Sequence, residues 1–296
     1  MTKLTATTAA IAALACAAGA YYWAHGIGPF GRVSKAAQPA VASPASVTTD
    51  KAAPVSAAPA LSKTTEPSDR VAAADAGTPW RPGEVLEFAA DVAKLSNVAN
   101  LRLQIVERRD FFGKNAWHLQ AFARTENPLR MVFELDDQFD SYSDAATLSS
   151  LQYEMHLNER GQKQESIQRM RTADAERVAS NATETRVVPG TRDPLGLMQY
   201  LRTVDWTKIH EVHGPVYDGH KLYDVSARLD GSPQNITVPA GTFATSKIEV
   251  RIFDAGAELK DAHFALYLAN NPSRTPVLLE AVMPFATARV ALVKMK

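Results

Sequence analysis

Cysteine is almost absent from these 296 residues: the single Cys16 falls inside an apolar run near the N-terminus. The remaining chain therefore has no disulfide, no thiol nucleophile and no cysteine-based metal site, whichever compartment holds it. An excess of one charge is lacking too, since Lys+Arg and Asp+Glu both number 32. Without a basic field there is nothing to hold nucleic acid or an anionic membrane surface over a distance, so nucleic acid is excluded as the expected partner. Local signatures of chemistry are also missing. There is no G-x-S-x-G elbow, no phosphate-cradling glycine loop and no dinucleotide fingerprint, so no cofactor is expected and a non-enzymatic role leads. A hydrolase assembled from scattered residues stays open, because a triad is set by geometry and not by spacing. It requires a Ser or Asp within hydrogen-bond reach of a His such as His118 or His156.

What is present divides into three parts. Residues 4–24, LTATTAAIAALACAAGAYYWA, carry no charge and are long enough to cross a bilayer. As an uncleaved anchor the run would end in Tyr21-Tyr22-Trp23 as an interfacial aromatic belt. Two alternatives stand beside it: a signal peptide cleaved after Ala18-Gly19-Ala20, or a lipoprotein modified at Cys16 after Leu14-Ala15. Residues 36–79 are dominated by Ala, Pro, Ser and Thr and cannot bury enough apolar surface to offset ordering, which predicts a disordered linker. A flexible coil of about forty residues spans roughly 35 Å. The expected organisation is a membrane or signal segment over 1–35, a linker over 36–79 and a folded domain over 80–296.

Strand signals fill that domain. The clearest runs from Asp218 to Phe253, where Tyr223, Val225, Ala227 and Leu229 alternate with Leu222, Asp224, Ser226 and Arg228. Turns are expected at Asp218-Gly219, Asp230-Gly231 and Pro239-Ala240-Gly241, the last leading into a strand with Ile248, Val250 and Ile252. Tyr223, Val225, Ile248 and Val250 are the firmest core assignments. Period-two runs also cover Val85 to Leu95, Asn100 to Arg109, Ala116 to Arg124, Leu129 to Phe139, Leu151 to Asn158, Gln164 to Arg171, His263 to Leu268, Val277 to Met283 and Ala286 to Val293. One helix is expected, Pro194 to Thr203, capped by Asp193 and started by Pro194, with Leu197, Tyr200 and Leu201 on its packing face. The fold class is mainly β: one strongly curved antiparallel meander, an open or closed barrel, with one main helix on the sheet or in its open end.

Few residues suggest a site. His210, His213 and His220 lack the helical zinc spacing, and in a strand His210 and His213 face opposite sides, so no metal is expected there. The acidic run Glu134, Asp136, Asp137, Asp140, Asp144 lacks the glycine and closing glutamate of a calcium loop; alternation splits it between faces and leaves Asp140 and Asp144 in a turn. Arg274, between Pro272 and Pro276, is the one ligand-binding candidate: it could hold an anionic group at a barrel mouth, or pair with a carboxylate to pin the turn.

A series of short motifs occurs in order: Gly83-Glu84, Ser143-Asp144-Ala145-Ala146-Thr147-Leu148, Asp193-Pro194-Leu195, Asp218-Gly219 with Tyr223-Asp224-Val225, Pro239-Ala240-Gly241-Thr242-Phe243, and Ser273-Arg274-Thr275-Pro276-Val277. In this order they resemble the bacterial exported domain-of-unknown-function family DUF3108, over roughly Arg81 to Val293. The resemblance implies a periplasmic β-rich domain and supplies no activity or site residue. Asn97-Val98-Ala99 stands where a glycine-containing turn is expected. The leading functional expectation is a domain tethered to the inner membrane whose curved sheet holds an apolar, amphipathic or lipid-linked ligand. The alternatives are an assembly partner that docks an envelope protein through its sheet edges, and the hydrolase.

Overall fold

Every second side chain of β1 (Val85–Val92) is buried, from Leu86 through Phe88 and Ala90 to Val92, and the same alternation builds most of the other strands. The computed structural model describes residues 77–172, 182–283 and 286–296. The apolar N-terminal run with Cys16 and nearly all of the linker lie outside the described residues. Among the described residues no helix is long and apolar enough to cross a membrane. After β1 come β2 (Leu95–Phe111), β3 (Lys114–Thr125), the single turn of helix α1 (Leu129–Val132), β4 (Asp136–Asp144), β5 (Ser150–Glu159), β6 (Gln162–Arg171) and β7 (Thr183–Arg186). Helix α2 (Pro194–Thr203) follows, then β8 (Glu211–Tyr217), β9 (Leu222–Val238), β10 (Gly241–Asp254), β11 (Ala257–Ala269), β12 (Pro276–Met283) and β13 (Ala286–Met295).

Among the described residues, 13 strands form one sheet in the order β7-β6-β5-β4-β3-β2-β1-β13-β12-β11-β10-β9-β8. The first and last strands pair at its middle, Leu86 opposite Met295, and β7 and β8 are its edges. The barrel does not close by continuous pairing. Across the gap, Tyr217 on β8 meets Thr185 on β7, and Arg192, in the segment after β7, bridges β8: the Arg192 amide donates to the Pro215 carbonyl at 3.0 Å, and the Tyr217 amide donates to the Arg192 carbonyl at 2.8 Å.

Four local expectations are corrected. The sheet is not wholly antiparallel, because β7 runs parallel to β6; the stretch between Arg171 and Thr183 is about the length such a crossover needs. Leu129 to Phe139 is a strand only from Asp136 onward. Met131 and Val132 are exposed there, while Arg130 pairs with Asp136 and Glu134, both at 2.6 Å, and folds the segment into α1 before β4 begins. Asp230-Gly231 is not a reversal either. β9 runs straight through it, and Gly231, at φ +72°, absorbs a bulge opposite Thr245 and Lys247. The first hairpin turns at Ala93-Lys94, earlier than Asn97, whose amide is held by Asp91 Oδ1 at 2.7 Å inside β2.

Helix α2 has the expected ends, but a different face is buried. Leu195, Met198 and Leu201 join the core, whereas Leu197 and Tyr200 are half-buried. The reason is depth: α2 packs against β3, β4 and β8 on the core side, so Gln199 and Arg202 are buried as well. Trp117, Tyr153, Leu119, Ile248, Ile252, Leu266, Leu278 and Leu292 fill the space within the curved sheet as one continuous cluster shared with α2. Tyr223, Val225 and Val250 belong to the same cluster.

Asp193 ties α2 to the sheet. Its carboxylate accepts the Gly196 amide at 2.9 Å as an N-cap, the Ser141 hydroxyl at 2.6 Å and the Ser150 hydroxyl. Burial pushes the Asp193 carboxyl up, and these donors, with the Leu195 amide, work against that shift. Asp193→Ala removes the cap and strands two hydroxyls on β4 and β5, so it should cost about 2–4 kcal/mol in a urea unfolding curve. A change under about 0.5 kcal/mol, the scale of a neutral surface substitution, would show that α2 is held by packing alone.

Candidate functional site

Two places among the described residues gather charged and polar side chains with access to solvent. The first is the seam. Arg192 is half-buried where α2 meets β8, with its guanidinium 3.7 Å over the Tyr200 ring. Nη2 donates to the Thr147 carbonyl at 3.0 Å and Nη1 to the Gly190 carbonyl at 3.3 Å, while Nε is buried with no hydrogen-bond partner among the described residues. No carboxylate among the described residues pairs with it. Burial lowers its pKa, and Tyr200 works against that shift. Leu197, Tyr200, Val212, Val216 and Val225 line the adjoining pocket, an apolar notch of about 10 Å³ with room for about one water.

The second place is the face of β3, β4 and β5 turned away from the core. His118 and Gln120 on β3, Gln138, Asp140 and Tyr142 on β4, and Gln152, Glu154 and His156 on β5 share that face, in rows set by the register. Asp140 is buried among them. Its Oδ1 accepts from His118 Nε2 at 2.7 Å and Gln120 at 2.8 Å, and its Oδ2 accepts from Gln138 at 2.7 Å. Burial would raise its pKa, yet these bonds outweigh burial and hold the carboxyl below its usual range. Tyr142 stacks on His118 with centroids 4.7 Å apart, and Phe111 and Phe112 meet Tyr142 edge-on at 4.9 and 5.4 Å. Arg169 lies 3.4 Å over Phe112 and donates to Gln152 at 2.8 Å, and Gln152 in turn donates to Glu154.

A family model described as "Protein of unknown function (DUF3108)" matches residues 88–293, which span the sheet and both of these places. The chain belongs to the DUF3108 family. No curated protein matches it. The DUF3108 domain is similar to a solved β-barrel-like protein of the DUF1849 domain of unknown function from Brucella abortus, at 11% identity and TM-score 0.49, over 73% of this chain and 97% of that one. It is also similar to a candidate lipoprotein from Parabacteroides distasonis, at 14% identity and TM-score 0.34, over 74% and 97% of the two chains. A third similar structure, a protein named as exported with a YmcC-like fold from Bacteroides fragilis, has 11% identity and TM-score 0.30 over 74% and 98%.

The residues singled out from sequence scatter over the DUF3108 domain. Arg274, at φ +42°, donates from Nη1 to the carbonyls of Arg202 at 3.1 Å and Val204 at 2.7 Å, so it ties the turn before β12 to the C-terminal end of α2. His210, His213 and His220 are exposed and do not converge; His213 meets Glu211 at 3.3 Å, and the His220 amide is held by Asp218 in its turn. Of the acidic run, only Asp144 sits at a turn, where it caps the amides of Ala146 and Thr147. Asp140 is corrected to mid-strand, because β4 begins at Asp136 and runs through it. The His118–Asp140 contact meets the first requirement of a hydrolase, but the hydroxyl beside it is that of Tyr142, pushed up to about 12 chiefly by burial. Ser141 and Ser143 face the other side, where Ser141 donates to Asp193.

Sequence reading missed Arg192 and the two glutamines flanking Asp140. The signal for the second place was present as polar residues of one parity in three successive strands. It becomes a cluster only once the pairing register is known.

Proposed function

We propose that this DUF3108 domain is a non-enzymatic, envelope-associated binding module that takes an anionic group carried on an apolar body, such as an amphipathic or lipid-linked envelope component, at its open seam. The observation that carries this reading is Arg192: a half-buried guanidinium without a carboxylate partner among the described residues, beside an apolar notch where the ladder between β7 and β8 is broken. Desolvated cations without counterions are costly, and a bound anion offsets that cost. The packed interior supports a ligand lying along the seam and not within the barrel. A periplasmic position fits the uncharged run of residues 4–24 and the Ala/Pro/Ser/Thr leash behind it, with the chain tethered to the inner membrane, released after cleavage, or held as a lipoprotein through Cys16.

Purified protein should bind the anionic amphiphile anilinonaphthalene sulfonate saturably, and Arg192→Met should weaken that binding about tenfold, the effect of losing one charge-assisted contact of roughly 1.4 kcal/mol. Arg109→Met, on an exposed arginine of β2, should leave it unchanged. Mass spectrometry of solvent extracts should find an anionic lipid with the parent and not with Arg192→Met. Equal binding by both proteins and clean extracts would defeat the seam as a ligand site. One observation favours docking of an envelope protein instead: among the described residues the only backbone pairing on the β8 edge facing away from β9 is the Arg192 bridge, which leaves part of a strand edge for augmentation. A protein adduct from a photoreactive residue at position 213, alongside unaltered amphiphile binding in Arg192→Met, would select that reading.

A further inference from the structure

Asp140 on β4 and Glu154 on β5 are direct cross-strand partners, and both project from the face turned away from the core. Like charges placed directly opposite on an antiparallel pair destabilise it, and here the Glu154 side chain is only 15% exposed and that of Asp140 only 5%. No lysine or arginine among the described residues pairs with either carboxylate. The groups that touch them are imidazole and amide, with Arg169 acting on Glu154 at longer range. His156 Nε2 stands 3.4 Å from Glu154 Oε2, and one oxygen from each carboxylate and one nitrogen of His156 lie within 4.8 Å of one another.

We propose that Asp140, Glu154 and His156 form a binding site for a divalent first-row transition ion, with zinc as its fitting occupant. The donor set decides the class: magnesium and calcium take oxygen ligands, whereas an imidazole beside two carboxylates suits zinc and its neighbours. Three protein ligands bonded at about 2 Å would leave a fourth position open to solvent or to a partner's side chain. The shell behind the ligands is already ordered. His118, Gln120 and Gln138 all donate to Asp140, and Gln152, itself held by Arg169, donates to Glu154 Oε1, so that Oε2 faces His156. Such outer hydrogen bonds orient ligating carboxylates and sharpen affinity. Glu165, 3.8 Å from His156 Nδ1, sets a carboxylate near the other ring nitrogen. A divalent ion neutralises the opposed carboxylates, which gives the conflict between Asp140 and Glu154 a use. This site is independent of the seam on α2 and β8.

The test is isothermal titration of the full chain, stripped with a chelator, with zinc chloride. The expected result is one saturable site per chain, weakened tenfold or more in each of Asp140→Asn, Glu154→Gln and His156→Ala, unchanged in His213→Ala, and not displaced by a large excess of magnesium. Glu154→Gln carries a second readout: without zinc it should melt no lower than the parent, since it relieves the repulsion, while zinc should raise the melting temperature of the parent and not of the variant. No saturable binding, or affinity retained in all three ligand variants, would overturn the proposal. Displacement by magnesium at equal concentration would do so as well.

Discussion

Replacing Arg202 with methionine should lower the unfolding free energy by about 3–5 kcal/mol. The side chain is fully buried. Its guanidinium meets Glu84 bidentately, Nη1 to Oε1 at 2.6 Å and Nη2 to Oε2 at 3.0 Å. It also donates to Gln199 Oε1 at 2.9 Å and to the Ser273 carbonyl at 2.9 Å, and lies 5.2 Å from the centre of the Trp80 ring. Methionine restores much of the volume but leaves a carboxylate, an amide and a carbonyl without a donor. The cost therefore comes from stranded acceptors more than from lost packing. If so, Arg202→Met combined with Glu84→Leu should recover part of the loss, because replacing both members of a buried pair by apolar groups is often near neutral. Urea unfolding of the two single variants and the double variant gives the coupling directly. A double variant as unstable as the sum of the singles would remove the ion pair from this account.

Asp137→Asn should stabilise the protein at pH 8 by on the order of 4 kcal/mol and leave it nearly unchanged at pH 4. Asp137 points to the core side of β4, where burial pushes its carboxyl up to about 7; Glu159 and Asp136 add to the shift, and the bond from the Asn158 amide opposes it. Below about pH 4 the group is protonated in both the folded and the unfolded chain. Between about pH 4 and 7 the unfolded chain releases the proton while the fold retains it, so stability falls as pH rises through this window and levels off above it. Asparagine still accepts from the Asn158 amide at 2.8 Å and carries no charge to desolvate. Glu159 is raised in the same direction by burial, so some pH dependence should survive in the variant. Unfolding curves at several pH values decide the matter. Parallel stability profiles for parent and variant would show that Asp137 is ionised in the fold without penalty.

Much of the architecture was legible because period-two alternation survives wherever one face of a strand is buried. β3, β5 and β6 fell within two residues of their expected limits, and α2 was bounded by its own capping chemistry at Asp193 and Pro194. Alternation misled where apolar residues owe their place to something other than a sheet. Met131 and Val132 continue a strand-like pattern by chance on an exposed turn, and Asp230-Gly231 has the composition of a hairpin but serves as a bulge. Sites were less legible for a different reason. Asp140, Glu154 and His156 come together through the register of β4 on β5, and Arg192 gains its surroundings from α2 and β8, which lie on either side of the Trp206 segment. Neither arrangement has a local spacing. Arg274, which did stand out in sequence, spends its guanidinium on the end of α2.

The pairing of β1 with β13 at the centre of the sheet has a kinetic meaning. Strands β1 to β6 and β8 to β13 are each joined by hairpins or short connections, so their ladders close small loops. The ladder that unites them joins Leu86 to Met295, more than two hundred positions apart. Closing a loop of that length costs roughly 3–4 kcal/mol more chain entropy than closing a tight hairpin, at about 0.6 kcal/mol per doubling. The barrel wall is thus two quickly formed leaves hinged on a slowly found spine, and until that spine zips, each leaf exposes the edge that the finished sheet conceals at its centre.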